Sequence, residues 1–147
     1  MTYTITAESI LASVDKEVSR AAAMAHGDDG SPLFDAYRIL SRDRDTIEEY
    51  MGDAVSAVFL RLFDIATRSG GDGSVTITFD VPDFDGSMEP EVTKELNRFI
   101  TLMVCSYWLL EKGAGPKSEE FAKRAEAALE KAHVLLKSRK TPKRNNI

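Results

Sequence analysis

The stretch FITLMVCSYWLL, residues 99–110, is the feature that most restricts how this chain can fold. Its apolar side chains would surround a helix on nearly every side, whereas a helix on a protein surface keeps one polar face. We therefore predict a helix that begins near Pro90, a favourable first-turn residue, and ends at KGAGPK. This helix is expected at the centre of the fold. The run is too short for a membrane span, which needs about 18 or more apolar residues.

Apolar residues spaced three and four apart predict three further helices. The first covers 7–25, with Thr6 as its N-cap. The second covers 44–68, where the glycines of SGGDGS are expected to end it. The last is an alanine-rich helix for which Ser118 is the predicted cap.

One segment, SVTITFDV, has the alternation of a β-strand. Val75, Ile77 and Phe79 fall on one face of it, and Pro82 is expected to end it. A single strand needs a partner. Three partners stay open: a hairpin made with the loop PDFDGS, the N-terminal residues TYTI, or another chain.

These elements predict a mainly α fold. It is a four-helix bundle-like domain with one short β segment or hairpin between helices 2 and 3, followed by an extended C-terminal arm. The 147 residues, 43% of them hydrophobic, are enough for one core. We expect a helical domain over 1–137 and a basic arm over 138–147. The N-terminus lacks the pattern of a secretory signal, so synthesis and assembly in the cytoplasm are expected.

The C-terminal arm contrasts with the rest of the chain. It holds five positive charges within eight residues and no acid, in a protein whose net charge is −5. Leaving out these five charges doubles the net negative charge of the remainder. Three interpretations are open: a solvated end without a role, nonspecific binding of nucleic acid, or docking on an acidic protein surface. Docking suits this charge distribution best, because an acidic body would be repelled by phosphates.

Residues that could support catalysis or metal binding are few. Asp80, Asp83, Asp85 and Glu89 form an acidic run, but their spacing does not match an EF-hand loop. Two histidines in different elements and one cysteine, Cys105, inside an apolar stretch do not assemble a zinc site or a nucleophile–base pair.

Helix two offers one further set of acids, in Glu48, Glu49 and Asp53. An all-α magnesium-dependent hydrolase would need a second acidic motif on helix three, where Glu91 and Glu95 are one residue too far apart. An acidic first turn favoured by the helix dipole explains the acids of helix two as well. We therefore expect a protein that is not an enzyme, with no metal and no cofactor.

The last third of the chain, YWLLEKGAGPKSEEFAKRAEAALEKAHVLLKSRKTPKR, resembles head–tail connector (adaptor) proteins of tailed bacteriophages and prophages. The shared features are an aromatic-rich helix, a short glycine break, an alanine-rich helix and a basic ending with one proline. The order of elements is similar over most of the chain.

The resemblance implies a structural virion protein, assembled in the bacterial cytoplasm. About twelve copies would form a ring around the DNA channel. The ring would dock on the portal protein and contact a downstream neck or tail protein, and genomic DNA would pass without specific binding. The implied portal-binding arm is Lys137, Arg139, Lys140, Pro142, Lys143 and Arg144, and the implied inter-subunit or neck-contact strand is Val75, Ile77 and Phe79. The alternative is a small helical regulatory or nucleic-acid-associated protein that uses the same arm.

Overall fold

The computed structural model describes residues 1–24, 37–71 and 73–139. Two short 3-10 turns, Ser41–Asp43 and Gly86–Met88, precede the second and third helices. In chain order, the described elements are strand β1 (Thr2–Thr6), helix α1 (Ala7–Met24), helix α2 (Arg44–Arg61), strands β2 (Ala66–Gly71) and β3 (Ser74–Phe79), helix α3 (Glu89–Glu111) and helix α4 (Gly115–Leu136).

Helix α3 lies at the centre, as its apolar sequence predicts. It packs against α1, α2 and α4, and its side chains are buried on several faces from Val92 to Leu109. Phe99 and Trp108 are both almost fully buried. The mainly α fold is therefore confirmed. No helix within the described residues is long and apolar enough to cross a membrane.

Helix α1 begins where the sequence predicts. The backbone N–H of Ser9 donates to the side-chain hydroxyl of Thr6 at 3.3 Å, which is the N-cap hydrogen bond. The residues on either side, Ile5 and Ile10, are both buried. The junction between β1 and α1 is thus fixed by one capping bond and by burial of the flanking side chains.

Helix α2 is shorter than predicted. It ends at Arg61, and a turn leads into β2, whereas the apolar spacing predicted helix to residue 68. Leu62 and Ala66 are buried, so they continue the helical pattern without being helical. From Ala66 onward the backbone pairs with β3 instead of continuing the helix. Gly70 allows the backbone of β2 to lie close to that of β3. Its φ is +152°, and a Cβ atom there would lie 2.6 Å from the carbonyl oxygen of Ser74.

The predicted strand is the central strand of a three-stranded antiparallel sheet, in the order β1–β3–β2. Tyr3 stands opposite Ile77, which confirms pairing with the N-terminus. The hairpin partner is β2 on the preceding side, where Thr67 stands opposite Thr78. The loop PDFDGS does not pair back on β3. Its Pro82 and Asp83 form a turn instead, in which the N–H of Phe84 donates to the carbonyl of Val81 at 3.3 Å.

The boundary between α3 and α4 also differs from the prediction. Gly113, with a φ of +81°, follows α3, and α4 begins at Gly115 with Pro116 in its first turn. Ser118 is therefore inside the helix and not its cap. Its hydroxyl donates across the interface to the carbonyl of Ser106 at 2.7 Å, and the Ser106 hydroxyl donates to the carbonyl of Ser118 at 2.9 Å. Both serines are buried, so this pair joins the two helices near their connection.

Candidate partner-binding surfaces

The first surface is the arm root, Lys137–Arg139, where the chain leaves α4. The N–H groups of Lys137 and Ser138 close the helix by donating to the carbonyls of Val134 and Leu135. The carbonyl of Ser138 then accepts from the N–H of Asp85 at 3.1 Å, and Arg139 forms a β-bridge with Phe84. Since Phe84 packs against the core, the arm starts from a fixed point beside the turn that connects β3 to α3.

The predicted arm residues divide at this point. Lys137 and Arg139 are exposed on the arm root. Lys140, Pro142, Lys143 and Arg144 lie outside the described residues. The structure therefore describes the start of the predicted arm and its direction of departure from α4.

The predicted contact strand, β3, is paired on both sides by strands of its own chain. Both backbone edges of β3 are occupied by β1 and β2, and Ile77 and Phe79 are buried while Val75 is partly buried. Strand pairing between β3 and a second chain is thus excluded in this fold, because no edge is free for it. The open edges of the sheet are those of β1 and β2.

The acidic run after β3 has a structural role. The Asp85 carboxylate accepts hydrogen bonds from the backbone N–H of Ser87 at 3.0 Å and from its hydroxyl at 2.7 Å, and so caps the 3-10 turn Gly86–Met88. Within the described ranges, no group of three or more His, Cys, Asp or Glu side chains is arranged to hold a metal ion.

A second surface, the α2 ridge, runs along the outward side of α2. We define it as Asp45, Glu49 and Asp53, followed by Leu60 and Phe63. The three acids are four residues apart and exposed, and they lie opposite the buried side of the helix. Leu60 and Phe63 extend the ridge with large apolar side chains that are 69% and 71% exposed.

Two tyrosines beside the α2 ridge have raised pKa values, of which burial is the largest cause and the acids of the ridge a smaller one. Partial burial, then the hydrogen bond to Glu111 and the charges of Glu111, Glu49 and Asp53, raise the pKa of Tyr50 to about 12. Burial and then Asp53 raise the pKa of Tyr107. Ionising either phenol would add another negative charge to this surface, and so the neutral forms are favoured.

A third surface, the α1–α4 groove, was not predicted. It is an open groove of about 390 Å³ lined by residues of α1, α3 and α4. Lys16, Arg98 and Arg124 supply three cations to it, from three different helices. No sequence spacing brings these residues together, because each is a solvent-side cation on its own helix. The polar lining also includes Asn97, whose side-chain carbonyl accepts from the buried hydroxyl of Tyr3 at 2.7 Å.

The single cysteine has no chemical role that its surroundings favour. Cys105 is fully buried, and its thiol lies 4.0 Å from the carbonyl of Val14. Burial raises the pKa of this thiol well above its ordinary value, and nearby Glu17 acts in the same direction. A neutral, enclosed thiol is a poor nucleophile, and the position is part of the core.

Comparison with known proteins adds no family to these observations. No family model, curated protein or solved structure matches this chain.

Proposed function

We propose that this chain is a structural virion protein, a ring-forming head–tail connector that docks on a portal protein through its basic C-terminal arm. The observation that carries the proposal is the arm root. A segment with five positive charges leaves an otherwise acidic chain from a point fixed by Ser138, Arg139 and their partners at 84–85. A fixed point of departure orients Lys137 and Arg139 in advance, which lowers the entropy cost of docking.

The helical body suits the wall of a ring. Its core is built around one central helix that contacts the other three described helices, and so the outer helices are held in one unit. A ring would also present many arms at once. Even if each arm bound weakly, simultaneous docking would raise the overall affinity by about 10²–10⁴-fold. Exposed acids facing a central channel would keep DNA from adhering as it passes.

The test is binding between the purified chain and the portal protein of the same genome. Three chains are compared: the wild type, a variant ending at Arg139, and a full-length variant in which Lys137, Arg139, Lys140, Lys143 and Arg144 become glutamate. The matched control exchanges lysine and arginine at the same five positions and so keeps the charge.

We expect binding by the wild type and by the exchanged control, and loss of binding by the truncated and reversed chains. Native mass spectrometry of the complex would report the number of copies, and circular dichroism would verify that every variant is folded. A portal that binds the truncated chain as well as the wild type would refute a role for the arm. A folded wild-type chain that ignores the portal would refute the connector itself.

The alternative, a nucleic-acid-associated protein, rests on the same five charges. It predicts that the arm binds DNA or RNA with an affinity that falls steeply as salt rises. Titration of the wild type and the truncated chain with duplex DNA and with RNA, at two salt concentrations, separates the two proposals. Salt-sensitive binding that is lost on truncation, together with no capture by the portal, would favour the alternative.

A further inference from the structure

The α1–α4 groove holds three cations for which the described residues supply no acidic partner. Within the described part of the chain, no ion pair includes Lys16, Arg98 or Arg124, and the guanidinium of Arg124 lies over the ring of Phe121 at 5.1 Å. The one acid that lines the groove, Glu17, is 3.6 Å from Arg20. The groove is therefore a positive surface on a protein whose net charge is negative.

The α2 ridge has the opposite property. Asp45, Glu49 and Asp53 take part in no ion pair within the residues that the structure describes. Four-residue steps place the three carboxylates in one row about 12 Å long. The row is straight and lies on one helix, so it can enter a groove as a single unit.

The ridge also has an apolar part, and the groove is continued by a second hollow. This hollow, of about 260 Å³, adjoins the groove through Glu17 and Arg124. Its lining is mostly charged, and its apolar members, Ala21 and Phe121, are buried. On the ridge, Leu60 and Phe63 follow the acids. A nucleic-acid backbone would satisfy the three cations, but it would leave the exposed Leu60 and Phe63 of the ridge uncovered. The ridge of a second copy of this chain would pair the three cations and would also bring Leu60 and Phe63 into the contact.

We propose that the α2 ridge of one copy docks in the α1–α4 groove of the next copy. Because the two surfaces differ, the contact is head-to-tail, and its repetition produces a closed ring or an open helix instead of a two-fold dimer. This contact rests on the proposed connector function and assigns the surfaces by which its subunits would join. It does not use the C-terminal arm.

The test uses two charge-reversed full-length chains. The ridge-reversed chain carries Asp45→Lys, Glu49→Lys and Asp53→Lys. Assembly is measured by sedimentation velocity over a range of concentrations. Like charges placed opposite each other across an interface oppose binding strongly, so we expect the apparent dissociation constant to rise at least about 100-fold.

The groove-reversed chain carries Lys16→Glu, Arg98→Glu and Arg124→Glu, and the same loss is expected. An equimolar mixture of the two chains should assemble again, because each reversed surface then meets a complementary one. The expected species alternate between the two chains. Restoration in the mixture is a result that misfolding of either variant cannot produce.

A matched control changes three exposed acids outside the ridge, with Asp80→Lys, Glu119→Lys and Glu130→Lys. It has the same charge change as the ridge-reversed chain, and its assembly should stay within about threefold of the wild type. Far-ultraviolet circular dichroism and the fluorescence of the single tryptophan, Trp108, report the fold of every variant.

The inference is overturned if the two reversed chains assemble like the wild type, if their mixture stays apart while both are folded, or if the wild type is monomeric at about 1 mM. None of these results tests whether a single arm binds the portal. A chain that binds the portal through its arm but fails these tests would keep the connector and lose the ridge–groove contact. A chain that passes these tests but does not bind the portal would keep the ridge–groove contact and lose the connector function.

Discussion

The buried serine pair between α3 and α4 permits a quantitative test of the fold. Replacing Ser118 with alanine removes the 2.7 Å hydrogen bond to the carbonyl of Ser106 and the 3.0 Å contact between the two hydroxyls. A lost intramolecular hydrogen bond costs about 1–1.5 kcal/mol of the free energy of unfolding. Alanine returns up to about 0.5 kcal/mol through its higher helix propensity. The expected net loss is about 1 kcal/mol.

Ser13 provides the matched control for Ser118→Ala. Its hydroxyl also donates to a backbone carbonyl, that of Ser9 at 3.1 Å, but the pair is exposed and water replaces the bond. Ser13→Ala should therefore leave stability unchanged or raise it by a few tenths of a kcal/mol. Ser118→Val should cost more than Ser118→Ala, about 2–3 kcal/mol in total, because the extra methyl groups have no space between the helices.

Urea unfolding followed by the fluorescence of Trp108 measures these differences, since this side chain is buried. With a slope of about 2 kcal/mol per molar urea, Ser118→Ala should lower the midpoint by about 0.5 M. Equal midpoints for the Ser118→Ala and Ser13→Ala chains would refute the argument that the serine pair joins the two helices.

Four other substitutions test local features of the structure. Gly70→Ala should destabilise the hairpin by about 2–3 kcal/mol, since its Cβ would collide with the backbone of Ser74; Gly52→Ala, inside α2 with open space around it, should stabilise by up to about 1 kcal/mol. The melting temperatures of these two variants measure the cost of backbone strain at Gly70 and the gain in helix propensity at Gly52. Asp83→Gly should stabilise by up to about 1 kcal/mol, because the φ of Asp83 is +58° in the turn; an unchanged or lower melting temperature would contradict this. Finally, burial favours the neutral thiol of Cys105 and raises its pKa. Its contribution to the free energy of unfolding is therefore fully present below the ordinary pKa of 9.0 and falls as the pH rises above that value. Cys105→Ala should flatten the decline of stability between pH 8.5 and 10, and equal slopes would show that the thiol does not contribute.

Local patterns were sufficient for the elements that carry their own signal. The apolar stretch at 99–110 had to be central because no polar face was left, and the alternation at 75–79 had to be a strand. Thr6 capped α1 as predicted, since capping depends only on the next few residues. These features are local, and sequence order alone contains them.

The sequence-based predictions were wrong where contacts between residues distant in the chain determine the local structure. The segment ATRSGG has no strand pattern of its own and becomes β2 because β3 offers its second edge. Ser118 is a helix-capping type of residue, but the approach of α3 gives its hydroxyl a better acceptor. The α1–α4 groove is the extreme case, since Lys16, Arg98 and Arg124 meet only after three helices have packed. The acids at 45, 49 and 53, by contrast, have helical spacing in the sequence itself, although only Glu49 and Asp53 of this row were singled out there, together with Glu48.

The two proposed contacts are far enough apart to act independently. Along α4, Arg124 of the groove is thirteen residues before Lys137 of the arm root, a distance of about 20 Å along the helix axis. The groove-reversed chain should therefore keep the binding of a single arm to the portal and lose only the gain that comes from docking many arms together. Its affinity for the portal should fall by about 10²–10⁴-fold. A short peptide covering 137–147 should displace this variant and the wild type from the portal equally well, when each chain is measured as a monomer at low concentration. Complete loss of portal binding by the folded groove-reversed chain would show that the groove itself contacts the portal, and the assignment of the ring contact to this surface would then fall.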